Sequence, residues 1–313
     1  MRIVFMGTPE FAAVSLRRLT AAGHAIAGVF TQPDRPSGRG RQISRSAVKE
    51  LAQVLGFEVF QPVRLKGKEE LECLRLLRPE IIAVVAYGQI LPPEVLNLPP
   101  GGCINLHASL LPFYRGAAPI QWALLNGESK TGVTTMRMDA GLDTGDILLQ
   151  SECPILPGDD MGTLHDKLAA QGADLLAETL RRHEAGSLTA QPQADGATFA
   201  PRLRRKDERL DWTEDAANIV RRIRALRPWP GAYTEFRGES IKIWEAEARA
   251  LEALPGRIGG APGEISRVTE QSLLCAAGRG WVEIGILQPA GRGRMTGADF
   301  ANGRRPVPGE RFV

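Results

Sequence analysis

E-I-I-A-V-V-A, residues 80–86, places six apolar residues in a row behind a single acid. A run this short, rich in β-branched side chains and without polar alternation, reads as a strand covered on both faces. That is the mark of a parallel sheet lying under helices. Upstream, residues 2–6 form a short apolar strand, and Gly7-Thr8-Pro9 turns into a helix with Thr8 as its expected cap and Pro9 at its first position. Residues 25–31 read as a second strand, 47–55 as a helix, 58–60 as a short strand and 68–77 as a further helix. Downstream, 102–107 and 132–138 are strand-like, with a helix near 118–126 between them. Leu164, Leu168, Leu175, Leu176 and Leu180 give residues 162–183 the spacing of a helix that closes the first domain. Strands alternating with helices predict an α/β domain with a mostly parallel sheet.

From Gly186 to Lys206 the periodicity fades into Pro, Gly, Gln and Arg, as in a linker. An amphipathic helix is expected near 214–226, with Thr213 as its cap. Beyond Trp229-Pro230-Gly231 come short β-type runs at 240–245, 263–269, 272–277 and 281–287, separated by Gly or Pro. Strands at that spacing predict a small barrel or sandwich. A length of 313 residues accommodates two such domains.

Hydrophobic residues at 43% and charged residues at 24% exclude a disordered chain, a collagen-like fibre and a disulfide-dense scaffold. No apolar run approaches the ~20 residues that span a bilayer. No secretory leader is expected, because only Ile-Val-Phe-Met follows Arg2 before Gly-Thr-Pro. Cys73, Cys103, Cys153 and Cys275 are scattered, with no C-x-x-C pair and no histidine at metal spacing. A reduced, cytoplasmic enzyme without metal is the expectation. Residues 1–200 hold 19 Lys and Arg against 21 Asp and Glu, whereas residues 201–313 hold 20 against 15. The basic excess is therefore confined to the C-terminal third, which favours an anionic partner there.

The opening G-T-P-E-F-A has only Gly7 where a dinucleotide fingerprint needs several glycines. The densest polar cluster is N-L-H-A-S-L-L-P-F-Y-R-G-A-A-P-I-Q, 105–121. Asn105 and His107 stand two apart near a strand's carboxyl end, so both project to one face. An amide beside an imidazole there suits a carbonyl oxygen that gains charge under attack. A second polar loop, M-D-A-G-L-D-T-G-D-I-L, spans 138–148, with Gly141 and Gly145 bracketing Asp143. Asp143 is a candidate to orient His107 and pass a proton; Asp139 and Asp146 compete with it, and spacing does not choose. Q-P-D-R-P-S-G-R-G-R-Q, 32–42, sets Arg35, Arg39 and Arg41 among Pro and Gly, a cationic loop fit for phosphates.

Taken together, these segments resemble the methionyl-tRNA formyltransferase family of the folate-dependent formyltransferase superfamily. The likeness runs through G-T-P-E-F (7–11), the arginine loop, V-V-A-Y-G-Q-I-L-P (84–92), both polar clusters, R-P-W-P-G-A (227–232) and L-Q-P-A-G (287–291). The resemblance implies a Rossmann-like catalytic domain over 1–189, a linker over 190–206 and an OB-like tRNA-binding β-barrel over 207–313. It implies transfer of formyl from 10-formyltetrahydrofolate to the α-amino group of methionyl initiator tRNA, by a monomer needing no metal. Carried over by motif, Asn105, His107 and Asp143 are the catalytic triad; Ser109, Leu110, Leu111 and Pro112 bind folate; Arg35, Arg39 and Arg41 lie against tRNA. Phe113-Tyr114 stands where the family often has a basic or aromatic pair. Three rivals remain: a formyltransferase with a small acceptor such as glycinamide ribonucleotide or a nucleotide-linked amino sugar, a module that only binds RNA, and a nucleotide-dependent oxidoreductase. The basic loop and basic C-terminal third count against the first, the Asn105/His107/Asp143 set against the second, and the missing glycines against the third.

Overall fold

The computed structural model describes residues 1–37, 42–250 and 260–313. Two compact units account for them. The first comprises Met1–Pro119, Lys130–Pro154 and His165–Pro201; the second comprises Ile120–Ser129, Ile155–Leu164 and Arg202–Val313.

In the first unit the elements run β1 (Arg2–Gly7), α1 (Glu10–Ala21), β2 (Ala25–Phe30), β3 (Arg35–Ser37), β4 (Gln42–Ser44), α2 (Ala47–Val54), β5 (Val59–Phe60), α3 (Lys68–Leu76), β6 (Ile81–Val85), α4 (Pro93–Leu96) and β7 (Cys103–His107). Along the chain there follow α5 (Pro119–Leu125), which falls in the second unit from Ile120 on, β8 (Lys130–Arg137), β9 (Ile147–Pro154) and α6 (Met161–Glu184), which falls in the first unit from His165 on. One seven-stranded sheet has the order β5-β2-β1-β6-β7-β8-β9. Its first five strands are mutually parallel, and β8 and β9 run antiparallel to their neighbours. The expected mostly parallel α/β sheet is present. β6 and β7 are buried at every position, as a strand between covered faces must be. The sequence pattern misses β9, whose polar Gln150, Ser151 and Glu152 dilute its hydrophobicity.

Two expected helix caps are corrected. Pro9, not Thr8, is the N-cap of α1, and the Thr8 hydroxyl donates instead to the Tyr87 carbonyl at 2.8 Å. That bond ties the β1 turn to the segment after β6, a long-range need that outweighs local capping.

The second unit carries α7 (Ala216–Ala225), β10 (Tyr233–Phe236), β11 (Glu239–Arg249), β12 (Ile265–Val268), β13 (Leu273–Ala276), β14 (Trp281–Pro289), β15 (Met295–Thr296) and α8 (Gly297–Arg304). Its strands form an antiparallel curled sheet, a half-barrel, in the order β10-β11-β14-β13-β12 with β15 on β14. Asp215 rather than Thr213 is the N-cap of α7, because Thr213 is held by the Asp211 carboxylate. Trp212, Phe236, Phe300 and Phe312 pack as an aromatic core with ring centroids 5.5–6.0 Å apart. Such rings dominate burial energy, at ~2–3 kcal/mol for each fully buried side chain.

Also within this unit, Asp160 joins two segments. Its carboxylate caps the first turn of α6 by accepting from Thr163 N at 2.8 Å, and it accepts from Arg227 Nε at 2.5 Å. Burial pushes the carboxyl up, but the Thr163 N–H and the Arg227 guanidinium outweigh it and hold the group below its ordinary value. A depressed carboxylate stabilises the fold above its unfolded pKa, and the contribution is lost as pH falls through the folded value. Asp160→Asn is therefore expected to lower stability by ~1–3 kcal/mol at pH 7, with the gap to the parent closing below about pH 4. Urea unfolding at pH 7 and pH 3 checks this; an equal loss at both would contradict it.

Candidate active site

β7 ends in C-I-N-L-H, and the alternation of a strand sends Asn105 and His107 to the same face. Asn105 lies between Val84 on β6 and Met136 on β8, and His107 lies opposite Thr134 on β8. Their exposures are only 9% and 7%, so each polar atom needs a partner or a substrate. Among the described residues the Asn105 carboxamide makes no hydrogen bond within the protein. The His107 ring is held from one side: Nε2 lies 3.0 Å from the Tyr114 carbonyl. A carbonyl only accepts, so Nε2 carries the hydrogen and Nδ1 is left for reaction.

Asp143 reaches that nitrogen. Its Oδ2 lies 3.8 Å from His107 Nδ1, too long for a hydrogen bond but within ion-pair distance. The same oxygen accepts from Gly116 N at 2.8 Å. Asp143 takes a left-handed backbone, φ +52°, uncommon for a side-chain-bearing residue and better tolerated by Asp than by most. The bracketing glycines are required by close approach: a Cβ on Gly145 would meet the Arg137 carbonyl, and one on Gly141 the Thr144 hydroxyl. The two competing acids do other things. Asp139 Oδ1 accepts from Gly141 N at 2.9 Å and from the Thr144 hydroxyl at 2.7 Å, an internal brace of the loop. Asp146 lies beyond Gly145, where its carbonyl accepts from Arg137 N in the approach to β9.

The segment at 109–112 turns inward. Ser109, Leu111 and Pro112 are buried, and Leu110 is half-buried. The Thr134 hydroxyl donates to the Ser109 carbonyl at 2.6 Å and accepts from Leu111 N at 3.1 Å and from Gln150 Nε2 at 2.9 Å. The Ser109 hydroxyl donates to the Phe113 carbonyl at 2.6 Å. Arg35 is exposed at the start of β3 and donates to Gln32 Oε1 at 3.3 Å; Arg39 and Arg41 lie outside the described residues. Two clefts in this unit, of about 650 and 580 Å³, are lined by none of Asn105, His107 and Asp143. The second reaches the start of the Asp143 loop at Met138, Asp139 and Ala140.

Residues 1–180 match the family described as formyl transferase, and residues 202–305 match its C-terminal domain. The methionyl-tRNA formyltransferase of Solibacter usitatus is 48% identical over all 313 residues and 98% of its own length. The chain belongs to the methionyl-tRNA formyltransferase family. Its relative of that name from Geobacter sulfurreducens is 46% identical, covering 100% of this chain and 96% of that one. Among solved structures, Aquifex aeolicus HypX with tetrahydrofolic acid shares the fold, with TM-score 0.66 at 19% identity over 99% of this chain and 48% of that one.

Sequence reasoning missed Thr134, Gln150, Gly116, Tyr114 and Gln193, which hold the site together. Their spacing carries no periodic signal, because each acts through a long-range hydrogen bond. Thr134→Val keeps the shape but strands Leu111 N–H, which is buried. It is expected to cost ~1–3 kcal/mol in urea unfolding; an unchanged midpoint would show that 109–113 is held by other interactions.

Proposed function

We propose that Asn105, His107 and Asp143 carry the transfer of a formyl group from 10-formyltetrahydrofolate to the α-amino group of methionyl initiator tRNA. The single observation behind this reading is the convergence of a free carboxamide, an imidazole with Nδ1 uncommitted, and a carboxylate 3.8 Å from that nitrogen. Attack by the unprotonated amine forms the new C–N bond and moves a C=O electron pair onto oxygen. Asn105 and the Nδ1–H of a protonated His107 donate to that oxygen as its charge grows, the type of interaction worth a few kcal/mol in a dry site. Asp143 balances the imidazolium and accepts the proton shed by the amine, directly or through water. Breaking the old C–N bond returns the electron pair to the folate nitrogen, which takes up a proton. The folate carries the one-carbon unit and the protein supplies position and electrostatics.

Ser109, Leu110, Leu111 and Pro112 are assigned to the folate. Three of their side chains are buried in the protein, so folate would meet the segment's main chain, braced by Thr134 and Gln150. Arg35, Arg39 and Arg41 are assigned to the tRNA backbone, and residues 207–313 to the same partner, with 1–189 as the catalytic domain and 190–206 joining them. Exposed Arg292 and Arg294 fit such a partner, and Arg294 already lies over the Trp244 ring at 4.2 Å. Initiator tRNA is met in the cytoplasm, and one chain supplies the whole constellation, which supports action as a monomer.

Incubation of the protein with 10-formyltetrahydrofolate and methionyl initiator tRNA, in parallel with glycinamide ribonucleotide, tests the reading. Formylation of the nucleotide alone would sink it. His107→Ala is expected to lower turnover by about two orders of magnitude or more. Asp143→Asn is expected to cost far more than Asp139→Asn, because an amide oxygen still accepts from Gly141 N and Thr144; the reverse order would mean the wrong carboxylate was chosen. Replacing Arg35, Arg39 and Arg41 with Ala should lower the log–log salt slope of tRNA binding by ~0.7 for each phosphate of single-stranded RNA that is no longer neutralised. An unchanged slope would make the loop ordinary surface.

A further inference from the structure

Residues 191–200 read as a linker, yet inside the first unit they are stitched along the catalytic loops. Gln191 exchanges two backbone hydrogen bonds with Ile147, the first residue of β9, at 2.8 and 2.9 Å. Arg115 N donates to the Thr198 carbonyl, Ala200 N donates to the Arg115 carbonyl, and Tyr114 N donates to the Thr198 hydroxyl. Gly116, at φ +119°, passes so close that a Cβ would meet the Ala200 carbonyl. The strand-like passage therefore bridges the segment that carries Tyr114 and Gly116 to the loop that carries Asp143.

Gln193 lies at the centre of that bridge. Its Nε2 donates to the Asp143 carbonyl and to the Gly145 carbonyl, each at 2.8 Å. Its Oε1 accepts from Arg115 Nε at 3.1 Å and from Arg115 Nη2 at 2.7 Å. A carboxamide has two N–H donors and two acceptor lone pairs, and all four are used. Its orientation is fixed by its neighbours, since a flip would set N–H against guanidinium and oxygen against two carbonyls. Glu or Asp offers no donor when ionised, Lys no acceptor, and Asn falls one methylene short.

We propose that Gln193 is a positioning residue of the transfer reaction. It clamps the backbone on both sides of Thr144, holds Asp143 in its left-handed conformation, and locks that loop to Arg115, the neighbour of the Tyr114 carbonyl that holds His107. One amide thus sets the separation of His107 and Asp143 without touching either side chain. The proposal rests on Asp143 being the carboxylate of the site.

Gln193→Met keeps the length of the side chain and removes all four hydrogen bonds. It is expected to fold and to lower kcat by ~10- to 100-fold, the scale of displacing a reacting group by an ångström, with KM for folate and for tRNA little changed. Combined with Asp143→Asn, the same substitution should cost less than about threefold, because residues acting as a unit are not additive. A purely structural role gives the same factor in both backgrounds, and that result overturns the proposal, as does an unchanged kcat in Gln193→Met. Should the Met variant fail to fold, Gln193→Glu decides. It keeps the Arg115 interaction but sets a carboxylate against two carbonyls, so kcat is expected to fall as far, and full activity overturns the proposal. Near-normal turnover in Asp143→Asn alone overturns the reading of Asp143 and the proposal with it.

Discussion

His107 ends a strand that is buried along its whole length, and a polar ring in that position has to be satisfied from outside the sheet. The Tyr114 carbonyl meets that need at 3.0 Å. For the carbonyl to arrive there, the chain after β7 must fold back within seven residues, which it does through a turn tied at Ser109 and Leu111 to Thr134 on the next strand. The turn then has its own backbone groups to pair. Those of Tyr114 and Arg115 find partners at Thr198 and Ala200, so a segment some eighty residues downstream is drawn into the site. The tie to Thr134 follows from the cost of leaving a buried donor or acceptor unpaired, ~1–3 kcal/mol per group.

The sheet topology serves the same end. Parallel strands β1, β6 and β7 deliver their carboxyl ends to one edge, where ligands of open α/β sheets bind. Antiparallel β8 then puts Thr134 beside His107, and the β8–β9 connection carries Asp143 back toward the strand ends. A parallel strand in that place would need a crossover of a dozen residues and would carry its following loop elsewhere. The C-terminal unit is built on other terms: an aromatic core under an antiparallel sheet.

Within the loop at 138–148 three acids divide the work by their partners. Asp139 uses its carboxylate on the loop itself, Asp146 lies where β9 begins, and Asp143 alone is within ion-pair reach of the ring. The distance of 3.8 Å means that the ring's orientation comes from the Tyr114 hydrogen bond, while Asp143 places a carboxylate beside Nδ1. Separating these duties leaves Nδ1 accessible while keeping a negative charge near it.

Much of this was legible in the residues. Apolar runs such as 81–85 must be buried strands, since little else hides so many β-branched side chains, and their alternation with amphipathic helices determines an α/β unit. Period-two alternation alone puts Asn105 and His107 on one face. The motif content over nearly the full length determines the family. Local rules failed where a distant partner was stronger. Thr8 and Thr213 are good caps by composition, but Thr8 is drawn to Tyr87 and Thr213 to Asp211. β9 escaped notice because an edge strand shows water half of its side chains. Asp143 could not be chosen over Asp139 and Asp146 by spacing, because all three share one short loop and the choice depends on which carboxylate meets a ring 36 positions away. Gln193 was invisible for the same reason. A side-chain amide with four long-range hydrogen bonds leaves no periodic trace, and only the folded chain brings together the carbonyls and the guanidinium it joins.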